Sequence, residues 1–185
     1  GHEGPSRESI FGLRIRLPFE TSANEVIEGD PKLVSFRYFF TRKLMFMSHA
    51  NAVAVFPGGF GAAKNLSSFA VKGENCDVHP EVLRLVKEFA AKKKPQAALC
   101  IAPAMMAKIY EDAPIKPILT IGNDKDCSSK IETMGSTHQE CSARDFVFDE
   151  QNNVISTPAY MRGQSISEVA EGIEKTIQQL LKMTT

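Results

Sequence analysis

Hydrophobic positions follow two alternating patterns along the chain. Short apolar runs are typical of strands buried in a parallel sheet, and they occur at residues 9–17, 52–56, 95–100 and 117–122. Longer stretches repeat apolar residues at the three- and four-residue spacing of a helix, and they occur at 39–50, 62–70, 78–94, 101–110, 124–135 and 165–183. Alternating strands and helices predict an α/β fold of Rossmann-like or flavodoxin-like type, with a doubly wound, mainly parallel sheet and helices on both faces.

Two features refine this prediction near the C-terminus. Residues 145–149 and 153–158 flank a polar turn and predict a β-hairpin. In the last helix, Ser165 and Glu168 have the spacing of a capping box. The expected core face of that helix consists of Ile166, Val169, Ile173, Ile177 and Leu180. In the helix that begins near Pro80, the expected buried stripe consists of Val82, Leu85, Val86 and Phe89.

The length of the chain suits one domain. Its 185 residues can bury a sizeable core, so we expect a single α/β domain over residues 10–185. Residues 1–9 are polar and are expected to be a tag-like or disordered N-terminus. Residues 18–33 are rich in acidic residues, Pro and Gly, and predict a loop.

Composition excludes several classes of partner. The 22 basic residues balance the 22 acidic ones, so no net positive charge attracts nucleic acid or an anionic membrane. No apolar stretch is long enough to span a bilayer. The four cysteines form no closely spaced pair, and no His and carboxylate cluster has metal-ligand spacing. We therefore predict no metal, no cofactor, no nucleic acid, no membrane and a location in the reducing cytoplasm.

A glycine-rich loop follows the strand at 52–56. Its sequence is Pro57-Gly58-Gly59-Phe60-Gly61, and a helical stretch comes next. Ligands of open parallel sheets bind beyond the carboxyl ends of the strands. Glycine backbone N–H groups there can hold a phosphate or stabilise an oxyanion. The alternative is a plain tight turn, and the strand-turn-helix arrangement favours a function.

Residues 10–56 carry a first resemblance. The segments "LRIRLPFE" and "SFRYFFTRKLMFMSHANAVAVFPGGFG" resemble the Lonely Guy (LOG) family of nucleoside-monophosphate N-glycosidases. The resemblance implies that a nucleotide phosphate is bound by Arg42, Lys43, Gly58, Gly59 and Gly61. Ala62 and Asn65 stand where the family motif has threonine and glutamate, and an amide cannot act as a general acid or base.

Residues 57–185 carry a second resemblance. The segments "PGGFGAAKNLSSFA", "LCIAPAMMAKIY", "LTIG" and "STPAYM" resemble ElbB-like isoprenoid-biosynthesis glyoxalases, within the PfpI-like branch of the class I glutamine-amidotransferase superfamily. This resemblance implies that Cys100 is a nucleophile on a strand-to-helix elbow. A thiol at a helix N-terminus is expected to have a lowered pKa, and the amides of Gly59 and Ile101 are the expected oxyanion hole. The alternative is a buried structural cysteine.

Three functions follow from these patterns. The first is a recombined α/β scaffold, made of a LOG-like half (10–56) and an ElbB-like half (57–185), in which the catalysis of either parent is lost or weak. The second is a Cys100-dependent glyoxalase that converts an α-oxoaldehyde into a hydroxy acid without glutathione. The third is a LOG-like nucleotide binder or hydrolase. The expected ligand is thus a small aldehyde or a nucleotide phosphate, and a homodimer is possible.

Overall fold

The chain separates into two compact units, residues 1–50 and 51–185. The computed structural model describes residues 12–15, 33–36, 53–55, 60–161 and 165–184. The prediction of one domain over residues 10–185 stays a prediction, and the expected helix at 39–50 lies outside the described residues.

The first unit contains two described strands. They are β1 (Gly12–Ile15) and β2 (Leu33–Phe36), and they pair in parallel with Gly12 opposite Leu33. Strand β1 agrees with the expected strand at 9–17. Strand β2 was not anticipated, because the acidic and Pro-containing sequence before it indicated only a loop.

The second unit alternates strands and helices as the hydrophobic pattern predicts. Its elements, in chain order, are β3 (Val53–Val55), α1 (Phe60–Asn65), α2 (Phe69–Lys72), α3 (Pro80–Ala91), β4 (Gln96–Leu99), α4 (Ala102–Tyr110), β5 (Ile118–Leu119), α5 (Lys125–Thr133), β6 (Thr137–His138), β7 (Val147–Asp149), β8 (Val154–Thr157) and α6 (Ile166–Lys182). Short 3₁₀ turns occur at Gly73–Asn75 and Ala159–Met161.

Four of these strands form the main sheet, in the order β3-β4-β8-β7. Strands β3, β4 and β8 are parallel, and β7 runs antiparallel to β8, which confirms the predicted hairpin. Strands β5 and β6 form a separate parallel pair. Strand β6 was not predicted, because a strand of two residues leaves no periodic signal.

Strand β4 is buried along its whole length and separates two hydrophobic clusters. Ala98 belongs to the cluster that contains residues of α3, α4 and α5, whereas Ala97 and Leu99 belong to the one that contains Leu180 of α6. Because successive strand residues point to opposite faces of a sheet, the two clusters show that helices cover both faces of this sheet. The predicted α/β fold class is therefore confirmed.

Most predicted helices form, with two corrections. The expected helix at 62–70 is two short helices, because the chain turns at residues 66–68, where Ser67 bridges to Val78. Ile166 is 81% exposed and does not belong to the core face of α6. The Ser165 hydroxyl accepts a hydrogen bond from the Glu168 N–H at 3.3 Å, as the capping box predicts. Among the described helices, none is long and apolar enough to cross a membrane.

A buried carboxylate joins the hairpin to the neighbouring strand pair. Asp149 is 3% exposed and accepts hydrogen bonds from the backbone N–H of Ile118 at 2.8 Å and from the side-chain amide of Asn152 at 2.7 Å. Just after β5, the Thr120 N–H donates to the Ser156 hydroxyl of β8 at 2.9 Å. These polar links give hydrogen-bond partners to backbone donors in and just after β5.

Close packing of α6 requires glycine at residue 172. A Cβ atom there would lie 2.1 Å from the backbone oxygen of Ala143. We expect Gly172→Ala to destabilise the protein by about 1–3 kcal/mol, since overpacking outweighs the helix propensity that alanine adds. The exposed variant Ser167→Ala in the same helix should change stability by less than about 0.5 kcal/mol. Urea unfolding of both variants measures the difference, and a stabilised Gly172→Ala protein would contradict the packing.

Candidate active site

Cys100 lies on a sharp turn between the central strand β4 and helix α4. Its backbone has a φ of +61°, a left-handed conformation that costs a non-glycine residue about 1–2 kcal/mol. Its N–H donates to the Thr157 carbonyl at 3.0 Å, which extends the β4–β8 ladder by one residue before the chain turns. Strain of this kind accumulates at functional sites. The strand-to-helix elbow predicted at Cys100 is thus present in the structure.

Two backbone N–H groups converge on the Cys100 sulfur. They belong to Ile101, which precedes α4, and to Tyr160, in the turn after β8. Ala159 has a φ of +46°, so this second turn is also left-handed. Ile101 was expected from the sequence, whereas Tyr160 was not. The signal was present in the segment "STPAYM", since β8 and β4 are adjacent parallel strands whose carboxyl ends meet at one edge of the sheet.

The pKa of Cys100 differs from expectation. Burial raises the pKa of this thiol above its ordinary value, and the hydrogen bonds from Ile101 and Tyr160 lower it by less. The sequence predicted a lowered pKa from the helix N-terminus alone. The prediction is wrong in direction, because the free energy of removing water from the thiolate is larger than the stabilisation that the nearby backbone N–H groups provide.

A cavity of about 330 Å³ opens beside Cys100. Among the described residues it is lined by Ala63, Phe69, Ala70, Cys100, Ile101, Asp126, Cys127, Lys130 and Met161. These residues come from α1, α2, the β4–α4 elbow, α5 and the turn after β8. The size falls within the range of small-molecule sites, and the lining is mostly apolar.

The charged part of the lining lies on α5. Asp126 and Lys130 are one helical turn apart and form an ion pair of 2.6 Å. Cys127 lies between them in sequence, and burial, Asp124 and Asp126 raise the pKa of its thiol to about 11. Cys127 therefore lines the cavity as a neutral thiol near neutral pH.

The other predicted site residues are Arg42, Lys43, Gly58, Gly59 and Gly61. Arg42, Lys43, Gly58 and Gly59 fall outside the described residues, so their proposed roles stay predictions. Gly61 is in the first turn of α1. Within the described part of the chain, no group of three His, Cys, Asp or Glu residues is placed to hold a metal ion.

Known proteins resemble the chain across both predicted halves. No protein-family model matches. The mitochondrial ES1 protein homolog of Rattus norvegicus is 31% identical over 176 residues, which cover 90% of this chain and 64% of that protein. The mitochondrial glutamine amidotransferase-like class 1 domain-containing protein 3 of Homo sapiens is 36% identical over 140 residues. The match covers 71% of this chain and 51% of the human protein. The mitochondrial ES1 protein of Danio rerio is 28% identical over 144 residues, 70% of this chain and 52% of its own.

A solved structure agrees with these relatives. The isoprenoid biosynthesis protein with an amidotransferase-like domain from Ehrlichia chaffeensis has a TM-score of 0.65 and 33% identity, over 75% of this chain and 61% of that one. The sheet and the turn define an α/β protein with a strand-to-helix elbow at Cys100. The relatives support its place in the class I glutamine amidotransferase-like superfamily, which includes the PfpI-like proteins. The chain spans between 51% and 64% of the length of the curated relatives.

The comparisons correct two expectations. An alignment over 90% of the chain necessarily runs across residue 57, and none of these relatives is a LOG protein. They give no support to a LOG-like half or to a recombined chain. All three curated relatives are mitochondrial by name, and the prediction of a cytoplasmic location is therefore wrong.

The left-handed backbone at Cys100 gives a stability prediction. Cys100→Gly should be more stable than Cys100→Ala by about 1 kcal/mol, because glycine adopts a positive φ without steric cost. At Glu132, an exposed position inside α5, the order should reverse, with alanine more stable than glycine by a similar amount. Thermal or urea unfolding of the four variants measures both differences. Equal stability of the two Cys100 variants would mean that the turn is not strained.

Thiol reactivity gives a second prediction, since only the thiolate is alkylated. At pH 8, Cys127 should react with iodoacetamide more slowly than Cys100, because burial and the neighbouring Asp124 and Asp126 raise its pKa to about 11. The rate at Cys100 should keep rising above pH 9, because burial raises its pKa. Peptide mass spectrometry of a pH series assigns each rate to its residue. A Cys100 profile that levels off below pH 8 would show instead that the backbone dipoles outweigh burial.

Proposed function

We propose that this protein is a cysteine-dependent enzyme that converts an α-oxoaldehyde into a 2-hydroxy acid without glutathione, with Cys100 as the nucleophile. The observation that carries the proposal is the strained elbow. It holds one thiol at the edge of a cavity of ligand size, with the N–H groups of Ile101 and Tyr160 directed at the sulfur. A structural cysteine needs neither the strain nor the open cavity.

The chemistry is balanced without an external oxidant or reductant. The Cys100 sulfur bonds to the aldehyde carbon, and the thiol proton moves to the aldehyde oxygen, which gives a hemithioacetal. The hydrogen on that carbon then moves to the neighbouring carbonyl carbon through proton transfers, so the first carbon is oxidised to a thioester and the second is reduced to an alcohol. Water cleaves the thioester, releasing the 2-hydroxy acid and the free thiol.

The two amides suit this sequence of steps. Negative charge develops on the substrate oxygen when sulfur attacks and again when water attacks the thioester. Backbone N–H groups in a site of low polarity stabilise such charge strongly, and they are already oriented. We assign this role to Ile101 and Tyr160; Gly59, predicted for the same role, lies outside the described residues. The resemblance to ElbB-like proteins supports the same assignment.

The scaffold hypothesis is less well supported than it was from sequence alone. It rested on a junction between two families, and the rat relative aligns on both sides of that junction. A nucleotide-binding function rests on Arg42 and Lys43, and no described contact favours it.

Lactate formation from methylglyoxal tests the proposal. The purified protein without glutathione should form lactate, and Cys100→Ala should reduce the rate at least a hundredfold, because Cys127, the other cysteine in the described lining, has a thiol pKa of about 11 and is a poor nucleophile near neutral pH. Cys141→Ala is the matched control, since Cys141 lies in a surface loop and does not line the cavity. It should retain the parent rate. Equal rates for Cys100→Ala and the parent protein would refute the proposed function.

A further inference from the structure

The cavity beside Cys100 is much larger than the smallest α-oxoaldehydes. Methylglyoxal has five non-hydrogen atoms. A water molecule occupies about 30 Å³ in the liquid. If each non-hydrogen atom of methylglyoxal took the same volume, the molecule would fill about 150 Å³. This is less than half of the cavity volume of about 330 Å³. A ligand of about ten non-hydrogen atoms matches the cavity by the same measure. The smallest substrates would leave apolar walls without contacts.

The walls show which chemistry fills the remaining space. Phe69, Ala63, Ala70, Ile101 and Met161 present hydrocarbon or thioether surface. Contact with such surface favours an apolar group, and methionine adapts to its shape.

The charged residues of the lining do not favour an anionic substituent. The ammonium group of Lys130 is paired with the carboxylate of Asp126 at 2.6 Å, so within the described lining the two charges offset each other. A substrate carboxylate would have to break this pair to bind Lys130. A neutral substituent leaves the pair intact.

We infer that the preferred substrates are neutral α-oxoaldehydes that carry an aryl or medium-length alkyl group in place of the methyl group of methylglyoxal. This inference rests on the proposed function and specifies its substrate class. The aldehyde carbon lies at the Cys100 sulfur, and the substituent occupies the part of the cavity lined by Phe69 and Ala70.

Selectivity between phenylglyoxal and methylglyoxal tests the inference. Phenylglyoxal has ten non-hydrogen atoms, and its kcat/KM should exceed that of methylglyoxal by about tenfold or more, because its ring fills a hydrophobic pocket. Ala70→Phe places a ring on the cavity wall and should lower this ratio about tenfold, because the added ring takes the space that the larger substituent needs. Equal kcat/KM values for the two substrates in the parent protein would overturn the inference.

A neighbouring residue provides the matched control. Val71 is 78% exposed, lies in the same short helix α2 and does not line the cavity. Val71→Phe should leave both kcat/KM values unchanged. If it lowers the ratio as strongly as Ala70→Phe does, the effect comes from the helix and not from the cavity, and the inference fails.

A second measurement separates this inference from the proposed reaction. Mandelate and lactate, the two products, should protect Cys100 from iodoacetamide, and mandelate should do so at a concentration at least about tenfold lower. This preference should disappear in Ala70→Phe. If neither aldehyde is turned over but mandelate still protects selectively, the reaction is wrong and the ligand class is right. Equal protection by both acids, or by neither, refutes the ligand class.

Discussion

The parallel pairing of β4 with β8 is the constraint on which the site depends. Ladder hydrogen bonds hold Leu99 opposite Thr157, and one more bond fixes the Cys100 N–H on the Thr157 carbonyl. The chain therefore has only Cys100 and Ile101 in which to turn from a buried strand into α4, and Cys100 adopts the left-handed backbone of this turn. Because β8 ends beside β4, the turn that follows it brings the Tyr160 N–H to the same sulfur. The left-handed backbone at Cys100 and the positions of the two amide N–H groups therefore both follow from the pairing of β4 with β8.

Local sequence predicted those elements whose apolar face meets the core along most of their length. Helix α3 keeps Leu85, Val86 and Phe89 buried at the predicted spacing, and strand β4 is apolar because both its faces are covered. Prediction failed where a distant contact decides the local structure. The bridge between Ser67 and Val78, and the bond from the His79 N–H to the Leu66 carbonyl, end α1 although the sequence continues in a helical pattern. Ile166 fits the apolar period of α6, yet in the first turn of that helix it remains exposed.

The features of the candidate site also divide into those that local sequence predicts and those that depend on distant parts of the chain. A cysteine between an apolar strand and a helix is a local signal, and it agrees with the family resemblance that pointed to Cys100. Tyr160 comes from a turn sixty residues later in the chain, and only strand order brings it to the sulfur. The direction of the thiol pKa was also beyond local reasoning. A helix N-terminus is visible in sequence, whereas the burial that outweighs it is produced by residues of several separate elements.

A raised thiol pKa is compatible with nucleophilic catalysis when the electrophile is a neutral aldehyde. The fraction of thiolate falls as the pKa rises, but the intrinsic nucleophilicity of each thiolate increases, which recovers part of the loss. Addition of a thiol to an aldehyde gives a neutral hemithioacetal, so no net charge remains in the apolar cavity once the proton has moved. The low polarity that disfavours the thiolate also strengthens the interaction of the Ile101 and Tyr160 amides with the transient oxyanion. An anionic electrophile would in addition carry its own desolvation cost into the apolar cavity. The burial of the sulfur and the apolar lining of the cavity therefore favour the same kind of substrate.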